Sequence, residues 1–141
     1  MKKIFLITLL LPVYLSAQQL PSIADKTKGL SKLDGFLPFY KDEANGKILL
    51  EINKLDAELL YVMSLPAGLG SNDIGLDRGL LGGGRIVKFT RVGKKVLMIE
   101  PNYGYRAVSN SEREKAAVEQ SFAQSTLWGF NVEAEQGSNV L

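Results

Sequence analysis

Short runs of alternating apolar and polar residues occupy the middle of the chain, and this period of two predicts β-strands. The clearest pair is RIVKFTRV at residues 85–92 and KVLMIE at residues 95–100, separated by two residues of which the first is glycine. A two-residue turn of this kind joins antiparallel strands. The register predicted for this hairpin places Phe89 opposite Met98, so one face is more apolar than the other.

A second hairpin is predicted nearer the start of the chain. The runs FLPFY at 36–40 and KILLEI at 47–52 are separated by a segment that ends in Asn45-Gly46. Asn-Gly is a strong turn signal between strands. Pro38 has no N–H to donate, which predicts that the first of these two strands lies at a sheet edge.

A helical pattern follows the strands at residues 111–127. Ser111 with Glu114 three residues later has the spacing of a capping box at a helix start. Val118 and Phe122 are four residues apart and form a narrow apolar stripe that can lie on a sheet. The predicted fold class is therefore α+β. It consists mainly of antiparallel β-hairpins in a meander, with one amphipathic helix packed on the sheet, preceded by a signal-peptide helix.

The first seventeen residues, MKKIFLITLLLPVYLSA, have the pattern of a secretory signal peptide. Two lysines precede an apolar run of about twelve residues, which is shorter than the ~20 that a spanning helix needs. The small-residue pattern at its end predicts cleavage between Ala17 and Gln18. The alternative is an uncleaved anchor, which Pro12 and the polar residues after the run disfavour. We expect export to the periplasm or the medium, with membrane contact only during export.

Three parts are expected along the chain: a signal peptide at 1–17, a polar lead-in at 18–35 with one helical turn, and a β-rich accessory domain at 36–141. The final stretch from Phe130 has the pattern of a hairpin that stops at the start of its second strand. Because such an ending would leave a strand edge unpaired, we expect the domain to be incomplete at its C-terminus and the chain to be an N-terminal fragment of a longer protein.

Composition limits the chemistry. The sequence contains no cysteine and no histidine, which excludes disulfides, thiolate nucleophiles, imidazole-dependent triads and an HExxH zinc site within these residues. Lys and Arg number 17 and Asp and Glu 15, so removing Lys2 and Lys3 leaves 15 of each sign. A nucleic-acid partner is therefore not expected, since such proteins carry clustered positive charge. No catalytic residue, metal ligand or cofactor is predicted in this chain.

Seven of the fourteen glycines lie in residues 64–85, between a strand predicted at 58–65 and the strand at 85–92. Glycine at this density argues against regular structure, and so long a connection is usually functional or disordered. Gly70 and Gly75 have the spacing of a phosphate-binding loop. However, Asp77 follows where the lysine and hydroxyl pair is required, so the comparison fails.

Two interpretations of the polar residues in this loop stand side by side. Asn72, Asp73 and Asp77 supply oxygen atoms that suit calcium, although without EF-hand spacing. Alternatively, Asn72 and Asp73 form a local turn and Asp77 pairs with Arg78 or caps a short turn. We favour the second.

Three aromatic residues also allow two interpretations. Tyr103, Tyr105 and Trp128 could form a ligand-binding platform, or they could cover the rim of a core, which is the more usual role of such residues. We favour the rim.

The string GLGSNDIGLDRG at residues 68–79 resembles a signature of secreted bacterial zinc-dependent metalloproteases, where it belongs to a domain of unknown function N-terminal to the catalytic domain. The resemblance covers roughly residues 30–141. Further pieces match in order: Arg91-Val92-Gly93, Lys95-Val96-Leu97, Pro101-Asn102, Tyr105-Arg106-Ala107, Ser121-Phe122-Ala123-Gln124-Ser125 and Leu127-Trp128-Gly129-Phe130. The residues singled out in the signature loop, without an assigned role, are Gly68, Gly70, Ser71, Asn72, Asp73, Gly75, Asp77, Arg78 and Gly79.

This resemblance implies a parent protein that hydrolyses peptide bonds with a zinc ion held by an HExxH helix. Zinc is expected in the parent's catalytic domain, which would be the partner of this chain, and peptides or proteins would be substrates of the parent. None of those ligands can be carried onto a chain without histidine. The first hypothesis is thus a non-catalytic N-terminal accessory module of such a protease. The alternative is a self-standing periplasmic binding or interaction domain that uses the glycine-rich loop at 66–84.

Overall fold

Antiparallel β-sheet is the main regular structure in a computed structural model of the chain, which describes residues 19–68, 72–75 and 77–141. The described residues contain nine strands in three sheets and two short α-helices. The strands are β1 (Ser31–Leu33), β2 (Phe39–Asp42), β3 (Lys47–Leu50), β4 (Glu58–Tyr61), β5 (Arg85–Val92), β6 (Lys95–Glu100), β7 (Ser125–Asn131), β8 (Glu135–Gln136) and β9 (Asn139–Val140). The helices are α1 (Ile23–Lys26) and α2 (Glu112–Ser121).

The main sheet has the order β4-β5-β6-β7, and the predicted hairpin lies at its centre. Phe89 is paired with Met98, so the predicted register is confirmed. Val87, Phe89, Val96 and Met98 are all buried on one face, as the alternation of the two strands requires. The ladder between β6 and β7 has a bulge between Met98 and Ile99.

The predicted α+β class is wrong, because no amphipathic helix is packed on the sheet in the part of the chain that the structure describes. Helix α2 ends at Ser121 and buries none of its residues. Residues 125–131, part of which was assigned to the helix, form β7 instead and pair with β6. Thr126, Trp128 and Phe130 alternate as β-favouring residues, and β6 offers an open row of hydrogen-bonding groups. These tertiary contacts outweigh a weak helical pattern.

The helix start also differs from the prediction. Ser111 stands at the N-cap position, but its side chain makes no capping hydrogen bond. Its N–H is instead bonded to the hydroxyl of Ser109 at 3.0 Å. The capping-box spacing with Glu114 is therefore present in the sequence without the interaction that it usually indicates.

The first sheet has the order β1-β2-β3, so β2 is the central strand and the predicted edge position is wrong. Strand β1, from the polar lead-in, covers that edge. Pro38 lies just before β2, where a missing N–H is harmless, and its carbonyl accepts a hydrogen bond from the Glu51 N–H at 2.8 Å. The predicted Asn45-Gly46 turn is confirmed, with Gly46 at a φ of 62°.

Two clusters of buried side chains hold the sheets together. The larger one joins the main sheet to Ile52 after β3, and to Val132 and Val140 near the C-terminal hairpin β8–β9. The backbones of Ile52 and Val140 exchange two hydrogen bonds of 2.8 and 3.1 Å. Val140 also pairs with Glu135. Val140 therefore has backbone partners on both sides, Glu135 and Ile52.

The smaller cluster anchors the lead-in. Helix α1 is the single predicted helical turn, and its Ile23 is buried with Tyr40, Ala134 and Leu141. Lys26 of α1 forms an ion pair of 2.8 Å with Glu133, which holds the pKa of that carboxyl below its usual value. The lead-in is therefore packed on the domain and not merely solvated.

A half-buried hydrogen-bond network links the first sheet to the C-terminal hairpin. The Tyr40 hydroxyl donates to one Glu51 carboxylate oxygen at 3.0 Å, and the Asn139 amide donates to the other at 2.8 Å. Both oxygens of one carboxylate are thus satisfied by groups far apart in sequence, which fixes the relative position of β2 and β9.

Val87→Ala is expected to lower the free energy of unfolding by about 2–3 kcal/mol, because it removes buried methyl groups and leaves a cavity. The Val87 side chain is 0% exposed. As a control, Val108→Ala changes a residue that is 89% exposed, and we expect a change below ~0.5 kcal/mol. Urea unfolding measures both. Equal losses would contradict the placement of Val87 in the core.

We expect the free energy of unfolding to fall at alkaline pH because of Tyr40. Burial, and then the hydrogen bond to Glu51, raise the pKa of Tyr40 above its ordinary value of 10.0. A raised folded-state pKa means that the stabilisation is complete below the unfolded pKa and is lost as the pH rises through the folded pKa.

Tyr40→Phe should therefore cost about 1 kcal/mol at neutral pH, from the lost hydrogen bond, and should lack this alkaline loss. Unfolding free energies of both proteins across the range from neutral to strongly alkaline pH test this. Parallel curves for the two proteins would contradict the role assigned to the Tyr40 hydroxyl.

Candidate functional site

The glycine-rich loop is closed at its base by backbone pairing. Ser64 forms a β-bridge with Leu81, and the Gly82 N–H donates to the Met63 carbonyl at 2.7 Å. The Leu65 N–H donates to the Leu80 carbonyl at 3.0 Å. The two ends of the connection thus continue the antiparallel pairing beyond β4 and β5, and form a two-stranded stem at the base of the loop.

Glycine is required at defined points of this stem. A Cβ atom at Gly82 would lie 3.3 Å from the Met63 carbonyl oxygen, and one at Gly84 would lie 3.2 Å from Leu60 Cδ1. Gly75 and Gly79 have φ values of 66° and 80°, which side chains rarely tolerate. These glycines serve close backbone approach and turns, not phosphate binding.

The signature residues are placed only in part. Asn72, Asp73 and Ile74 form a single 3₁₀ turn, and the Asp77 carbonyl accepts from the Leu80 N–H at 3.1 Å, closing a second turn. Gly68 precedes the turn, whereas Gly70 and Ser71 lie outside the described residues. So do Ala17 and Gln18 of the predicted cleavage site.

The charged residues of the loop form no site in the part of the chain that the structure describes. No ion pair between Asp77 and Arg78 is found there. Within the same residues, no three acidic side chains lie close enough to hold a metal ion. Asp73 and Asp77 thus belong to no group of three acidic side chains within these residues, and the calcium interpretation of Asn72, Asp73 and Asp77 stays a prediction.

Around the stem, the surface is apolar. Leu60 of β4 is 66% exposed, and Met63, Ile74 and Leu81 are also exposed. A cluster of exposed apolar side chains marks a contact surface when it is contiguous. Gly84 lies against Leu60 and Gly82 against Met63, so these exposed residues follow one another along β4 and the stem. We call Leu60, Met63 and Leu81 the stem patch.

A polar cleft lies beside the stem, at the end of the main sheet where β5 begins and β6 finishes. Its volume is about 460 Å³, and its walls include Gly84, Pro101 and Tyr103. Arg85 and Glu100 form an ion pair of 2.9 Å within it. Sequence reasoning missed this pair, although the register of the hairpin places the two residues diagonally on one face.

An aromatic stack lies in a smaller adjoining cleft of about 200 Å³. The rings of Tyr105 and Phe122 are 3.8 Å apart at their centroids and nearly parallel, with 6° between their planes. Tyr103 lines both clefts. Trp128 lines neither, so the three aromatic residues considered from the sequence do not form one platform. Tyr105 stacks instead on Phe122, which was predicted to lie in the apolar stripe of the helix.

These clefts contain no evident reaction centre. The groups with shifted pKa values, Lys32, Tyr40, Asp42 and Glu133, lie elsewhere, and each shift has a local cause. The pKa of Asp42 is lowered by hydrogen bonds from Asn45, and that of Lys32 is raised by Asp34. These pKa shifts come from hydrogen bonds, ion pairs and burial that stabilise turns and strands. They do not indicate a general acid placed beside a general base.

Comparison with known families gives one match. Residues 79–141 match a family described as "Domain of unknown function (DUF5117)". The matched part begins at Gly79, the last glycine of the signature string, and contains β5 to β9 with α2. No curated protein and no solved structure matches the chain. No helix within the described residues is long and apolar enough to cross a membrane.

Gly82→Ala and Gly83→Ala form a matched pair for testing the stem. The added methyl group at position 82 would press on the Met63 backbone, whereas position 83 has open space. We expect Gly82→Ala to destabilise by about 1–3 kcal/mol. Gly83→Ala should be neutral or stabilising by ~0.4–1 kcal/mol, through reduced freedom of the unfolded chain. Thermal unfolding compares the two, and equal effects would argue against the close approach at Gly82.

Proposed function

We propose that this chain is the non-catalytic N-terminal accessory module of an exported zinc-dependent metalloprotease. The observation that carries the proposal is the string at residues 68–79, which resembles the signature of the domain preceding the catalytic domain in such proteases. The match to a domain of unknown function over residues 79–141 continues directly from it. The proposal of export comes from the signal-peptide pattern at residues 1–17.

The residues of this chain do not fit a zinc site. The sequence has no histidine or cysteine, and the described residues contain no group of three acidic ligands. Zinc chemistry, and with it peptide-bond hydrolysis, therefore belongs in this proposal to the parent's catalytic domain. The chain's own residues supply contact and support.

The stem patch is the surface through which we propose that the module contacts the catalytic domain. Leu60, Met63 and Leu81 are exposed, and covering them would remove apolar area from water at ~25 cal/mol per Å². The glycines at 82 and 84 allow close approach to Met63 and Leu60 on the facing strand. The signature charges Asp77 and Arg78 lie beyond this patch, where they can orient the contact.

The second candidate is a self-standing periplasmic binding domain. The observation that favours it is the pair of adjoining clefts, which share Pro101, Asn102 and Tyr103. Their walls combine an Arg–Glu ion pair with an exposed aromatic stack. This composition suits a small polar ligand with one flat face.

The coding sequence downstream of Leu141 separates the two candidates. We expect an HExxH segment in the same reading frame. A stop codon directly after Leu141, with intact flanking sequence, would contradict the protease proposal for this gene.

A substitution in the full-length parent tests the loop. Asp77→Ala with Arg78→Ala should reduce proteolysis several-fold with little change in thermal unfolding, because both side chains are on the surface. The matched control is Glu112→Ala with Lys115→Ala, which removes an exposed ion pair of 2.8 Å on α2. Equal activity of both double variants would remove any role for the loop charges.

A further inference from the structure

Strand β7 is the outer strand of the main sheet, and its second side has no strand partner among the described residues. It spans Ser125–Asn131, and six of its seven residues are exposed. An outer strand presents a row of N–H and C=O groups that can pair with another strand. This free edge, which plays no part in the proposed function, is the strongest unassigned feature of the fold.

The backbone of β7 determines which groups are free. The Val132 N–H donates to the Lys94 carbonyl at 3.0 Å, so the backbone groups of Val132 face β6. Along an antiparallel strand these groups alternate between the two sides. Those of Trp128 and Phe130 therefore face β6 as well, and those of Gly129 and Asn131 point away from the sheet.

The edge carries few of the devices that keep strands from pairing. The segment STLWGFN contains no charged residue and no proline, which are the usual protection of an outer strand. The bulge lies between Met98 and Ile99, so the pairing from Trp128 to Asn131 is regular. Trp128 is 65% exposed, an unusual exposure for so large a ring on an outer strand.

We propose that two copies of this chain associate by antiparallel pairing of their β7 strands about a two-fold axis at Gly129. Gly129 then faces Gly129 of the second copy as a hydrogen-bonded pair, which uses the outward N–H and C=O on each side. Trp128 lies opposite Phe130 of the second copy as a non-hydrogen-bonded pair, where side chains approach most closely. The interface is isologous, so this aromatic contact occurs twice.

Charge and shape favour a second copy as the occupant. No like charges meet within the paired strands, because β7 contains no charged residue. Glycine in a strand interior permits close approach of another backbone.

The aromatic side chains of β7 also extend an existing apolar surface. Phe130 packs 6.2 Å from Phe89 and lines an apolar groove of about 330 Å³ together with the exposed Ile48. Trp128 of the second copy, which lies next to Phe130 in this register, covers that groove. The same dimer contact would therefore pair the free edge of β7 and cover the groove.

Trp128→Lys and Leu60→Lys test the interface. Both remove an apolar side chain of nearly equal exposure, 65% and 66%, from the two outer strands of the same sheet. Sedimentation velocity of the purified full chain should give a dimer for the wild type and for Leu60→Lys, and a monomer for Trp128→Lys, with unchanged circular dichroism. A monomeric wild type, a dimeric Trp128→Lys protein or loss of the dimer in both variants would each overturn the proposal.

Single cysteines test the register in a chain that has none of its own. In this pairing the two Cα atoms of Gly129→Cys lie about 5.5 Å apart, a separation that a disulfide can span. Thr126→Cys places them ~20 Å apart, from six residues of strand rise. Mild oxidation should therefore link the first variant and not the second. The reverse result, or equal linkage of both, would overturn the register.

Discussion

The pairing of β5 with β6 is the interaction on which the remainder of the fold depends. This hairpin supplies Val87, Phe89, Val96 and Met98, four of the seven members of the larger core cluster. Its outer sides receive β4 and β7. Its open end carries the Arg85–Glu100 ion pair and the polar cleft. Because local pairing with a short turn is cheap in chain entropy, this hairpin can form first and give the later elements a surface.

Much of the β-structure could be predicted because its signals are local. Alternation, a glycine-first turn and Asn-Gly are all contained within a few residues of the strands that they specify. The predicted helix was too long, because local sequence periodicity does not show which strand a segment can pair with. Residues 125–127 were predicted to end the helix that contains Val118 and Phe122, but they belong to β7, which pairs with β6. Whether a neighbouring strand is available for pairing depends on tertiary structure, which the periodicity of one sequence does not reveal.

The candidate site was also predictable only in its local features. The density of glycine identified the loop and its ends, and the position of Asp77 excluded a phosphate site. The stem itself could not be foreseen, because it depends on backbone pairing between Met63 and Gly82 across the loop. The stack of Tyr105 with Phe122 likewise joins residues from a coil segment and a helix end. Such contacts depend on where α2 is held, and sequence spacing does not determine that position.

The bridge between Ile52 and Val140 has a consequence for how the chain folds. Both core clusters contain residues from the segment 132–141, namely Val132 and Val140 in one and Ala134 and Leu141 in the other. During synthesis the two early sheets can pair as they emerge, but neither interior is complete until this segment arrives. Closure over such long sequence separations is slow. The early strands therefore keep their apolar faces open until residues 132–141 have joined them.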